Sequence, residues 1–83
     1  MTDLDPIIIE QERLRRWQDA ALLFGPVGEL LVIELADFAR DPVRHRLRRA
    51  AAAARYAAGV VEAPKVREVA QVLATEIEMT AAS

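Results

Sequence analysis

The chain has 83 residues, 53% of them hydrophobic and 29% charged, with a formal net charge of −2 and no cysteine. That is the balance of one globular domain with a thin core, and it excludes a disordered tail, a disulfide framework, thiolate metal sites and cysteine nucleophiles. A slightly acidic chain is not drawn as a whole to polyanions, and no apolar run approaches the roughly 20 residues that span a bilayer.

Prolines at positions 6, 26, 42 and 64 each precede a stretch with apolar residues at helical spacing. Proline suits the first helical position, where its missing N–H has no intrahelical partner and its fixed φ is already helical. Asp5 and Asp41 precede two of these prolines as candidate N-caps, and Gly25 and Gly59 fall where a left-handed residue would end a helix. The expected fold is all-α, a compact bundle of four short helices over about 6–24, 26–40, 42–58 and 64–79, forming a single domain over 1–83.

The first helix aligns Ile7, Leu14, Trp17, Ala21 and Phe24 on one stripe. Its consecutive Ile7, Ile8 and Ile9 would spread over about 200° of a helix, so at least one must seek a second surface. The second helix carries Val27, Leu30, Leu31, Ile33, Leu35 and Phe38, with Glu29, Glu34 and Asp37 on one narrow face. A helix apolar around most of its girth is expected at the centre of a bundle. The third divides into a slim apolar side of Val43, Leu47, Ala50, Ala54 and Ala57 and a basic side of Arg44, Arg48 and Arg55, flanked by His45, Arg46 and Arg49. Its run Ala50–Ala54 favours helix and permits close approach of a neighbour. The fourth places Val66, Val69, Ala70, Leu73 and Ile77 at the i, i+3, i+4 spacing.

Catalysis finds little to work with. The one serine is Ser83, the one histidine is His45, and no set of metal ligands is spaced to converge, so no catalytic residue, metal site or cofactor is expected. Val66–Ile77 has the character of the first helix of a helix-turn-helix, but no recognition helix follows it in the sequence. Gly25-Pro26-Val27-Gly28 has the G-x-x-G spacing of an RNA-clamping loop. A left-handed stop followed by a proline start accounts for the same four residues.

The feature nearest to function is the arginine set Arg44, Arg46, Arg48, Arg49 and Arg55, which must face acids or an anionic partner because clustered guanidinium groups repel. Pairing with Glu29, Glu34 and Asp37 within the bundle or across a dimer is the simplest solution, and nucleic-acid phosphate is the competing one. With Ile8, Trp17, Leu30 and Ile33 as candidate interface residues, the sequence reads as a small cytoplasmic protein–protein interaction or regulatory module, an adaptor, inhibitor or small subunit expected to form a homo-oligomer. A nucleic-acid-binding regulator that uses the arginine face is the alternative. No membrane association is expected.

Overall fold

A computed structural model describes residues 4–83, and the first three positions of the expected 1–83 domain lie outside the described residues. The described residues are helical without strands, and their helical backbone forms three uninterrupted runs rather than four, over 11–40, 44–60 and 64–82. The first run bends. It comprises α1 (Gln11–Ala21), a 3-10 segment (Leu22–Gly28) and α2 (Glu29–Arg40); α3 (Arg44–Val60) and α4 (Pro64–Ala82) complete the chain order.

Only one of the four prolines opens a helix: Pro64 is the first residue of α4, preceded by the extended Ala63. Pro42 instead stops α2, because a proline disfavours the α conformation of the residue before it, and Asp41 accordingly adopts φ −145°, ψ 81°. Pro26 lies inside the 3-10 segment, directly after the left-handed Gly25 (φ 61°), which makes the bend that the sequence pattern read as an end and a new start. Gly59, the other expected stop, lies within α3 without positive φ. Neither Asp5 nor Asp41 caps a helix; α1 begins after Glu10 and α3 after Val43, both without a side-chain cap.

Pro6 opens no helix at all. The segment from Asp5 to Ile9 is an extended strap tied across the α2–α3 junction: the Ile7 amide donates to the Pro42 carbonyl (2.9 Å) and the Arg44 amide to the Asp5 carbonyl (2.9 Å). Three consecutive β-branched residues favour this conformation. Its period of two leaves Ile7 and Ile9 half-buried and turns Ile8 out to 99% exposure. The surplus isoleucine is thus turned away from the core by strand alternation rather than by helical spread, and among the described residues it meets no second surface.

The apolar stripes then assemble the core. Trp17, Leu31, Leu35, Phe38, Leu47 and Ile77 are its largest fully buried side chains. The centre is α3 rather than α2, for α3 packs against α4 on one side and α2 on the other, with α1 laid against α2. Its alanines explain the exchange. Ala50, Ala53 and Ala57 face one neighbour and Ala51, Ala54 and Ala58 the other, all buried, so both neighbouring backbones can come close. Ten of the nineteen buried apolar residues are alanines. Each removes little area from water, which leaves this core thin for its residue count.

Candidate interaction surface

The arginines of α3 point in three directions, because 17 residues of helix carry them around most of its circumference. Arg44, expected on the solvent side, is buried at the end of the α3–α4 packing, where its guanidinium donates to the Ala81 carbonyl. A cation there complements the carbonyl end of α4. Its Nε–H and the indole N–H of Trp17 are both buried without an acceptor among the described residues.

The others remain at the surface and most meet acids of this same chain. Arg46 Nε donates to Asp41 Oδ2 (3.1 Å), Arg49 Nε to Glu34 Oε2 (2.7 Å), and Arg55 holds Glu78 through two bonds (2.7 and 3.1 Å) while also donating to Thr75 Oγ1 (3.2 Å). Arg48 is also engaged. Beyond α3, Arg40 pairs with Asp37, and Arg13 and Arg16 approach Glu76 from α1. Of the expected acidic partners, Glu34 and Asp37 are used; Asp41, Glu76 and Glu78 are further ones that the pattern did not reveal. Hydrogen bonding to Arg55 holds the Glu78 carboxyl below the usual carboxylate range and raises the Arg55 guanidinium in return, each opposed by slight desolvation. Among the described residues no group of three or more His, Asp or Glu could hold a metal ion, and no helix is long and apolar enough to cross a membrane.

The candidate apolar residues separate as well. Trp17 is 1% exposed and belongs to the core, so it is not a surface anchor. Ile8 stands alone on the strap. Leu30 and Ile33 of α2 remain 52% and 49% exposed, and α3 exposes Tyr56 and Val60 at 59% and 42%. A shallow groove between α2 and α3 is lined by Leu30, Glu34, Arg49, Ala52, Ala53 and Tyr56. Its floor is alanine, and the buried Glu34 carboxylate is closed over by Arg49. The sequence signal for Tyr56 and Val60 is a second spacing, masked by the arginines that share the helix: Arg49, Ala53, Tyr56 and Val60 stand at i, i+4, i+7, i+11 along the α2 side of α3.

A second exposed apolar set lies on α4, where Val72 and Met79 border a groove with Gln71, Thr75 and Glu76. Its lining comes from one helix, whereas the α2–α3 groove joins two. Comparison with known proteins finds no matching family, no matching curated protein and no matching solved structure.

Proposed function

We propose that this protein is a small intracellular protein–protein interaction module that receives an amphipathic helical surface on its α2–α3 face. The observation that carries this reading is that Leu30 of α2 and Tyr56 of α3, both exposed, line one alanine-floored groove. Large apolar side chains over small ones form the relief into which a partner's ridge can pack.

The arginine helix supports the same reading by what its charge already meets. Guanidinium groups bonded to Asp41, Glu34 and Glu78 form neutral pairs, and docking them on phosphate would first require breaking those pairs. The test is a titration of the purified chain against labelled duplex DNA and structured RNA at low and physiological salt, run beside a photo-crosslinker placed at position 33. We expect no salt-sensitive nucleic-acid binding, and protein adducts at position 33 that a crosslinker at the exposed Asp19 of α1 does not give. Binding that falls with salt by about one unit of log–log slope per contact, and is lost on reversing Arg48 and Arg49, would overturn the proposal in favour of a nucleic-acid regulator.

A further inference from the structure

The strap over Asp5–Ile9 displays what the junction of α2 and α3 accepts. Two backbone groups of the junction are met by it: the Pro42 carbonyl receives the Ile7 amide, and the Arg44 amide donates to the Asp5 carbonyl, both at 2.9 Å. Arg44 opens α3, a helix without a side-chain cap, so its amide depends on a carbonyl brought from elsewhere. Together the two bonds make one rung of an antiparallel ladder, with Pro6 opposite Val43. Ladder bonds read backbone, which any extended peptide supplies, and leave selection to alternate side chains. Here those are Ile7 and Ile9, half-buried, while Pro6, Ile8 and Glu10 stand exposed. We infer that the junction is a docking seat for an extended segment, filled in this chain by its own strap, and that a partner's extended segment with large apolar side chains two residues apart takes the strap's place by exchange. The seat lies at the end of α2 opposite Leu30, so it is a second site and does not rest on the helix-receiving groove.

Two features make the strap replaceable. It fills its seat incompletely, for an open groove of about 270 Å³ remains beside it, lined by its isoleucines and by Leu14, Phe38, Ala39 and Pro42. A side chain longer than isoleucine would reach that space and remove more apolar surface from water than the strap does. The strap is also separable from α1. The Glu10 carbonyl accepts from the Leu14 amide, and Glu10 itself is extended (ψ 138°) with no side-chain cap fixing the entry to the helix. Rotation at this one position lifts residues 5–9 without unwinding a turn. Held in cis, the strap competes at the effective concentration of a short tether, about millimolar, so it sets a threshold that only a better-fitting segment passes.

The test uses the purified full chain, parent and Ile7→Ser/Ile9→Ser, with a fluorescently labelled peptide of residues 4–10 as the probe. Fluorescence polarisation should show saturable binding to the double variant and binding about 10-fold or more weaker to the parent, because a seat held by its strap is open for only a fraction of the molecules. A peptide carrying Ile9→Phe should bind more tightly, and one carrying Ile7→Asp and Ile9→Asp should not bind. Amide hydrogen exchange locates the site: the Arg44 amide should lose protection in the double variant and regain it when the peptide is added. No binding to the double variant, equal affinity for the two chains, or binding that leaves the Arg44 amide unprotected overturns the proposal. A parent chain that sediments as a dimer while the double variant is a monomer also overturns it, since the strap would then serve the seat of a second copy. Should the double variant lose its helical circular dichroism, Ile9→Ser alone carries the same comparison.

Discussion

Gly28 is where the bend between α1 and α2 is tightest, and replacing it with alanine tests whether that bend is a packed structure or a slack joint. A Cβ at this position would stand 2.6 Å from the Ala21 carbonyl oxygen and 2.9 Å from Phe24 Cβ. The first neighbour is backbone at the end of α1 and the second is the root of a buried ring, so neither can rotate away. Something must shift by several tenths of an ångström, the situation in which overpacking costs about 1–3 kcal/mol. Alanine would restrict the unfolded chain and return about 0.4–1 kcal/mol, leaving a net loss of about 0–2.6 kcal/mol, about 1.3 kcal/mol at the middle of both ranges. Gly59→Ala is the matched control. Its Cβ meets nothing within 4 Å, and the residue is helical, so only the favourable terms remain, up to about 1 kcal/mol of stabilisation.

Urea unfolding followed by circular dichroism and by Trp17 fluorescence, at one fixed protein concentration because association would add to stability, should place the two midpoints on opposite sides of the parent. At about 4–8 °C per kcal/mol for a domain of this size, thermal melts should show Gly28→Ala lower by several degrees and Gly59→Ala higher by a few. A stabilising Gly28→Ala would refute the reasoning, for it would mean that the 3-10 segment yields freely and that α1 and α2 are not held at a defined angle.

Trp17→Phe should be far milder than Trp17→Ala, which forfeits about 3–5 kcal/mol of core packing, because phenylalanine keeps most of the buried ring and removes an indole N–H that lacks an acceptor; chemical denaturation of both variants decides it. A double-mutant cycle on Glu34→Gln and Arg49→Gln should return a coupling of about 1 kcal/mol, and Arg49→Gln alone should destabilise more than that, since it leaves a carboxylate buried. Ala54→Leu, fully buried between helices, should cost about 1–3 kcal/mol while the exposed Ala52→Leu leaves the melt nearly unchanged. The Glu78 carboxyl titrates low when folded, so its contribution is present above its unfolded pKa and is lost as pH falls through its folded pKa; carbon-detected NMR should show that pKa rise in Arg55→Ala.

The stripes were legible in the sequence and the breaks between them were not. Trp17, Ala21, Leu47, Ala50, Ala54, Ala57, Leu73 and Ile77 lie in the core as their helical spacing implies, because periodicity reports burial whatever happens at the ends of the element. Proline is ambiguous in a way periodicity is not. It disfavours helix in the residue before it as strongly as it permits helix in the residue after it, and Pro42 acts in the first sense while Pro64 acts in the second. The α2–α3 face was half legible. Leu30 and Ile33 stood out as surplus apolar residues on an almost wholly apolar helix, but Tyr56 comes to share a groove with Leu30 only once α3 is known to run back along α2. Hydropathy also favoured α2 for the centre. The decisive property was size, because the helix that must touch two neighbours is the one whose side chains are smallest.

That choice has a consequence for the charges. Alanine surfaces pack closely but interlock little, so α3 could slide by a residue or a turn against α2 or α4 with small loss of buried area. The arginines oppose such a slide. Arg49–Glu34 pins α3 to α2, Arg55–Glu78 and the Arg44 bond to Ala81 pin it to α4, and Arg16–Glu76 ties α1 to the far side of α4. The exposed pairs among them, Arg55–Glu78 and Arg16–Glu76, contribute about 0–1 kcal/mol each, too little to hold the fold by themselves and enough to select among registers that differ by no more than that. The basic cluster on α3 therefore answers first to the topology of the chain, with acids supplied by every neighbouring element, and its charge is already matched before any partner arrives.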